Sequence, residues 1–162
     1  MLLPFFIISA LSALIIVLTR NRTITKALTV LNALILILLA FHAWKNLDTT
    51  ELRYFTFNST GVLLLSVLSV LALPTVYHGF IYTRSDDPRK FSIYHSALVL
   101  LMTFMSGAYL ANGMTVLWIF VEATTLVVAI LIYHDRTAFA LEATWKYVFI
   151  CSSGIALAYL GI

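Results

Sequence analysis

The sequence predicts an all-α integral membrane protein with six transmembrane helices. Of its 162 residues, 62% are hydrophobic and only 10% are charged, and the mean hydropathy is +1.00. Soluble domains are nearer half apolar and a quarter charged, so this chain has too little polar surface to cover a soluble core. Its apolar residues form six runs close to the roughly 20 residues that cross a bilayer. None of these runs alternates as barrel strands do, which favours helices.

The first three predicted helices occupy residues 2–19, 27–44 and 59–82. The basic stretch RNRTITK ends the first apolar run, and the polar stretch KNLDTTELR separates the second run from the third. The third run contains Pro74, which transmembrane helices tolerate because neighbouring groups satisfy the freed carbonyl. These breaks predict three separate helices joined by short links.

The last three predicted helices occupy residues 94–110, 114–133 and 144–162. RSDDPRK, which includes Asp86, precedes the fourth helix and is predicted to be an ordinary solvated loop. The link ANG joins the fourth helix to the fifth, and HDRTAFALE leads to the sixth. Small residues in SGAYLANG, at the end of the fourth helix, favour close helix packing or a tight helical hairpin.

Charges in the links predict the orientation in the membrane. The links after the second and fourth helices carry only Lys45 and Arg53. Because basic residues gather in cytoplasmic links, the odd-numbered links are predicted in the cytoplasm and the N-terminus outside. The localisation expected for this multi-pass protein is the inner (cytoplasmic) membrane of the cell. The links after the first, third and fifth helices carry seven basic residues: Arg20, Arg22, Lys26, Arg84, Arg89, Lys90 and Arg136.

Glu122, in the apolar stretch WIFVEATTLVVAI, is the main candidate for a functional residue. It is the ninth residue of its predicted helix, about 12 Å from the start and near the bilayer midplane. An ionised carboxylate facing lipid there costs several kcal/mol, so its side chain is expected to face protein or water. Two interpretations are open. Glu122 is a proton-relay acid whose protonation changes when its partner moves, or it is a permanently neutral acid that joins two helices by hydrogen bonds.

Three further side chains are candidates beside Glu122. Thr124 and Thr125 supply hydroxyls that could hold a water or cap the carboxyl, although membrane threonines often bond a backbone carbonyl of the preceding turn. Lys146 follows Glu142 by four residues, which favours an ion pair or an orientation toward the headgroups. The alternative for Lys146 is an inward orientation, as a charge partner in the proton relay.

The histidines give weaker indications. His78 could belong to a polar path, but an interfacial or packing histidine is the other interpretation. No spacing of histidines and carboxylates predicts a metal site, and no phosphate-binding glycine loop or cluster-binding cysteine set is present, so no cofactor is expected. No basic patch interleaved with aromatic residues indicates nucleic-acid binding.

The last 45 residues carry a family resemblance. WIFVEATTLVVAILIYHDRTAFALEATWKYVFICSSGIALAYLGI resembles the antiporter-like membrane subunits of the complex I superfamily, above all component F of hydrogenase-4-type complexes. It is more loosely similar to chain M of NADH–quinone oxidoreductase and to the related membrane component of Mrp-type sodium/proton antiporters. The resemblance is specific to these residues; before them it rests on the order of the apolar spans.

This resemblance implies about fourteen helices with two inverted five-helix repeats, each containing a broken helix. Glu122 matches a glutamate of the fifth helix that pairs, in these relatives, with a lysine on the broken seventh helix. Lys146 corresponds to a lysine early in the sixth helix. The sequence contains neither a broken helix nor a seventh-helix lysine, so it is expected to correspond to the N-terminal six-helix portion of that fold.

Three classes of function follow. The first is a proton-translocating subunit without its own catalytic site, in a redox-driven complex with other membrane subunits and a peripheral arm holding Fe–S clusters. The second is a subunit of a Mrp-type sodium/proton antiporter, which needs no redox arm. The third is a truncated structural or assembly subunit that conducts no ions.

Overall fold

The computed structural model describes residues 2–19 and 21–161, and most of these residues are helical. A two-stranded antiparallel hairpin, β1 (Thr50–Glu51) and β2 (Phe55–Thr56), lies between the second and third helices. A short 3-10 turn, Tyr133–Asp135, lies between the fifth and sixth. The helices are α1 (Leu2–Thr19), α2 (Arg22–Lys45), α3 (Ser59–Tyr82), α4 (Pro88–Leu110), α5 (Met114–Ile132) and α6 (Ala138–Leu160).

Three helices begin before the apolar runs that predicted them. α2 begins at residue 22 instead of 27, α4 at 88 instead of 94, and α6 at 138 instead of 144. The Asn21 side chain accepts a hydrogen bond from the Thr23 backbone N–H, and the Thr137 side chain accepts one from Ala140. Pro88 occupies the first turn of α4, where its ring is favourable. Capping residues, and not the apolar boundary, therefore set these helix starts.

Five of the described helices are long and apolar enough to cross a membrane: α1, α2, α3, α4, and α5 together with its turn. The sixth predicted helix is present as α6, with 23 residues, but it is not among these five. Its first half carries Glu142 and Lys146, and Ser152 and Ser153 follow. The chain is thus a multi-pass membrane protein, while the crossing by α6, the outward N-terminus and the inverted-repeat fold stay predictions.

Side-chain contacts join the odd-numbered links at one end of the bundle, which we call the basic end. Arg22 donates from Nη1 to the backbone carbonyl of Arg84 at 2.9 Å and from Nη2 to that of Asp86. Asp86 in turn accepts a hydrogen bond from His134, with 2.8 Å between Oδ2 and Nε2. The prediction of an ordinary solvated loop is wrong for Asp86, because its carboxylate is paired with a buried imidazole.

The opposite end, which we call the hairpin end, gathers the even-numbered links. Glu51 Oε2 accepts a hydrogen bond from the Leu2 backbone N–H at 2.8 Å. Asn112 donates its backbone N–H to the carbonyl of Tyr54 at 2.8 Å, and Phe55 pairs with Ala111 as an isolated bridge. The hairpin therefore connects the start of α1 to the α4–α5 link. The two groups of links lie at opposite ends of the bundle, as expected for consecutive antiparallel helices, and the side of the membrane that each end faces stays a prediction.

Glu51 should make the hairpin end sensitive to acid. Burial by itself raises the pKa of the Glu51 carboxyl. The hydrogen bond from the Leu2 N–H and nearby positive charge lower it by more, so the pKa lies below the ordinary 4.5. A group with a lowered folded-state pKa stabilises the fold above its unfolded pKa, and loses that contribution as pH falls through the folded value. We expect the melting temperature of the wild type to fall more between neutral pH and pH values below 4.5 than that of Glu51→Gln. An equal fall in melting temperature for the two proteins would contradict a stabilising role of the ionised Glu51 carboxylate.

α4 is the central helix of the bundle, in contact with α1, α2, α3 and α5. Two glycines allow its close approaches. A Cβ at Gly61 of α3 would overlap the backbone carbonyl oxygen of Tyr109, and a Cβ at Gly107 would overlap the ring of Phe120 on α5. The small residues of SGAYLANG thus provide close helix packing, one of the two alternatives that the sequence predicted.

Candidate functional site between α5 and α6

The two faces of α5 have different environments around Glu122. Two residues earlier, Phe120 packs inward among Phe6, Phe55 and Phe104, with ring centroids 5.7, 5.7 and 6.2 Å away. Residues two apart on a helix point in nearly opposite directions, at 3.6 residues per turn. Glu122 therefore faces away from this aromatic core, on the side of α5 that α6 covers.

The two carboxyl oxygens of Glu122 have different surroundings. Oε1 accepts a hydrogen bond from the Ser152 hydroxyl of α6 at 2.5 Å. Oε2 is buried and has no hydrogen-bond partner among residues 2–19 and 21–161. The carboxyl group is therefore fixed at one oxygen and unpaired at the other. Since buried polar groups are almost always hydrogen-bonded, the second oxygen marks a place for a further group or a water.

Trp118 lies one turn before Glu122 on the same face of α5. Its ring stacks on Tyr159 of α6 at 5.1 Å, and the Tyr159 hydroxyl lies 3.1 Å from Thr115 Oγ1. The indole N–H of Trp118 is also buried without a partner in the described part of the chain. An unpaired donor and an unpaired acceptor thus occur one turn apart, in an arrangement suited to a bound water or to a polar side chain from another helix.

The sequence identified Glu122 as a candidate, but it missed Ser152 and Tyr159 of α6. These two residues belong to a half-buried stripe of α6 that also includes Val148 and Ile155, spaced three or four residues apart. None of the residues of α6 is fully buried. The spacing of these four residues, three or four apart along one face of α6, was the available signal for this stripe.

The threonines after Glu122 do not cap its carboxyl. The Thr124 hydroxyl donates to the backbone carbonyl of Val121, and the Thr125 hydroxyl donates to that of Glu122, both at 2.7 Å. Capping of the acid by these threonines is therefore not observed, while their binding of a water beside it stays a prediction. Their hydroxyls instead bond a carbonyl of the preceding turn, the alternative that is common in apolar helices.

Lys146 and His78 lie away from Glu122. Lys146 Nζ is 2.6 Å from Glu142 Oε1, and the two side chains are 66% and 60% exposed. Six residues separate Lys146 from Ser152, which corresponds to about 9 Å along α6 and roughly 120° around it. Its inward orientation is therefore not observed. His78 is exposed on α3 and stacks on Tyr82 at 6.2 Å, so the structure does not bring it to the carboxyl.

Comparison with known proteins adds to this geometry. Part of the chain is similar to a hydrogenase-4 component F homolog. The relative comes from Methylacidiphilum infernorum (isolate V4) and is 35% identical over 75 residues. The match covers 46% of this chain but only 16% of the hydrogenase-4 component F homolog. No family model and no solved structure matches the chain. The similarity confirms the resemblance predicted from the sequence.

Proposed function

We propose that this chain is an antiporter-like, proton-translocating membrane subunit of a redox-driven complex, in which Glu122 is a proton-relay element. Three observations support the proposal: partial similarity to a hydrogenase-4 component F homolog, five helices able to cross a membrane, and a half-buried acid that is hydrogen-bonded between α5 and α6. The redox chemistry belongs to partner subunits, and this chain contributes the movement of protons.

The observation that carries the proposal is the difference between the two oxygens of Glu122. A carboxyl group that serves only to join helices gains most when both oxygens are bonded, because a buried unpaired oxygen costs about 1–3 kcal/mol. Here only Oε1 is bonded within the described residues, through Ser152. The unpaired oxygen is available to exchange a proton with a water or with a basic group on another helix.

The side of α6 that faces away from α5 is open to lipid or to the helices of partner subunits. α6 packs mainly on α5 and on the turn between them, and its opposite side is exposed. Large apolar side chains on that side include Trp145, Phe149 and Leu157, which are 70%, 67% and 69% exposed. Partner membrane subunits in the inner (cytoplasmic) membrane, coupled to a peripheral arm with Fe–S clusters, complete the proposal.

A structural role is the second candidate, and the bond between Ser152 and Glu122 favours it. In that case Glu122 stays neutral, its hydrogen bond holds α6 against α5, and no proton passes through it. The two functions make different demands on the acid. A relay acid changes its protonation during turnover, whereas a structural acid keeps one protonation state throughout.

Infrared difference spectroscopy on the membrane complex that contains this chain would separate the two candidates. With electron donor added, the relay function predicts a carboxylic C=O band that appears or disappears during turnover. The band should be absent from Glu122→Gln and present in Glu142→Gln, whose substituted acid is exposed and paired with Lys146. A difference spectrum that is unchanged by Glu122→Gln would refute the relay and support the structural role.

A further inference from the structure

A small cavity at the basic end is independent of the Glu122 site. It has a volume of about 170 Å³ and opens between the start of α4 and the end of α5. Two cationic side chains, Lys90 and Arg136, line it from opposite sides of this gap. Arg136 follows the 3-10 turn in the left-handed conformation, with φ of 53°, so the chain reverses at the rim of the cavity.

The charge of the cavity is not neutralised by the neighbouring acids. None of the lining residues is acidic, and within the described ranges neither Lys90 nor Arg136 makes an ion pair. Asp86 is paired with His134, and none of Asp86, Asp87 and Asp135 lines the cavity. Two positive charges thus face one cavity without a counter-ion, which is an arrangement suited to an anion.

The polar part of the lining also suits a phosphate group. The ring of Tyr94 enters from α4 and that of Tyr133 from the turn after α5, and both carry hydroxyl donors. The side chain of His134 is only 7% exposed and is fixed by its bond to Asp86. Arginine and lysine supply charge and several N–H donors, while the tyrosines add neutral donors around the same space.

The apolar part of the lining indicates a lipid. Ile93 lies one turn after Lys90, about 4.5 Å deeper along α4. Ile130 lies on α5, six residues before Arg136 in the link that follows. Cationic groups therefore mark the end of the bundle, and apolar groups lie toward its middle, in the same order as headgroup and acyl chains in a bilayer. A free phosphate ion would contact the cationic and hydroxyl side chains and leave the two isoleucines uncovered.

We propose that this cavity binds the phosphate of an anionic phospholipid. Lys90 and Arg136 contact the phosphate oxygens, the hydroxyls of Tyr94 and Tyr133 add hydrogen bonds, and the upper parts of the acyl chains cover Ile93 and Ile130. Basic sites between transmembrane helices at the headgroup level are suited to such lipids. The lipid connects α4 to the α5–α6 link from the membrane side.

Native mass spectrometry of the full chain in neutral detergent would test this site. Phosphatidylglycerol, phosphatidylcholine and inorganic phosphate are titrated separately against the wild type, against the double variant Lys90→Gln with Arg136→Gln, and against a control with Arg84→Gln and Arg89→Gln. The control removes the same charge from exposed residues of the same end that do not line the cavity. We expect phosphatidylglycerol binding to weaken on the order of tenfold in the cavity variant alone.

Three results would overturn the proposal. Equal weakening in the cavity variant and the control would show a general surface-charge effect without a site. Phosphatidylcholine that binds as tightly as phosphatidylglycerol, and is unaffected by the cavity variant, would exclude recognition of anionic lipid. Inorganic phosphate that displaces phosphatidylglycerol at equal concentration would make the free ion the ligand and exclude the lipid.

Discussion

Replacing Glu122 with glutamine should lower proton translocation by the assembled complex by about a hundredfold, the lower part of the range for proton transfer through a positioned side chain. Glutamine keeps the shape of the side chain and can still accept the hydrogen bond from Ser152, but it cannot take up or release a proton. Packing of α6 on α5 should therefore survive. The measurement is acidification of sealed vesicles that contain the complex, started by adding an electron donor.

Three controls give this experiment its specificity. Glu142→Gln removes a carboxyl group from the exposed surface of α6, so translocation should stay near the wild-type rate. Glu122→Asp keeps the ionisable group and should recover part of the rate. Dependence of the wild-type flux on a sodium gradient, without an electron donor, would indicate the antiporter alternative. Wild-type pumping by Glu122→Gln would remove Glu122 from the proton path.

Replacing Gly61 with alanine should destabilise the bundle by about 3 kcal/mol, as expected when a well-packed contact is overfilled. The added Cβ would overlap the carbonyl oxygen of Tyr109, which belongs to the backbone of α4 and cannot move away alone. α3 and α4 must then separate near the hairpin end. The change should appear as a lower melting temperature in detergent, followed by far-ultraviolet circular dichroism.

Gly154→Ala is the matched control for this substitution. Gly154 also lies within a helix, α6, but a Cβ there meets no atom within 4 Å. Alanine has the higher helix propensity, by up to about 1 kcal/mol, so this variant should melt at or slightly above the wild-type temperature. A Gly61→Ala protein as stable as Gly154→Ala would show that α3 and α4 do not approach so closely.

Much of the fold was predictable because the length of each apolar run is a property of the sequence alone. Apolar runs indicated the helices, and their order placed odd and even links at opposite ends. The β1–β2 hairpin was not predicted. Its turn places Leu52 and Arg53 at φ of 54° and 61°, and glycine, the residue that usually indicates such a conformation in a sequence, is absent from both positions. Helix starts were missed where capping residues extended a helix into its polar link.

The candidate site was predictable only in part. An acid in an apolar helix is expected to face protein or water, so Glu122 could be named as a candidate from its place in the apolar run. Its partner could not, because which side chain meets it depends on how α6 is rotated against α5. That rotation brings Ser152 to the carboxyl and leaves Lys146 with Glu142 at the surface. Sequence spacing gives the members of each helical face, but not which faces meet.

Unequal attachment of the helices has a mechanical consequence. Hydrogen bonds connect three links at the basic end, through Arg22, Asp86 and His134. The hairpin connects the helices at the opposite end. Among the described residues, α6 takes part in neither set of these contacts and packs mainly on α5 and on the turn at Tyr133–Asp135. α6 is therefore joined to the bundle mainly through one neighbour, and the hydrogen bond from Ser152 to Glu122 is part of that single contact. Any change in the angle between α6 and α5 would change the surroundings of the acid directly.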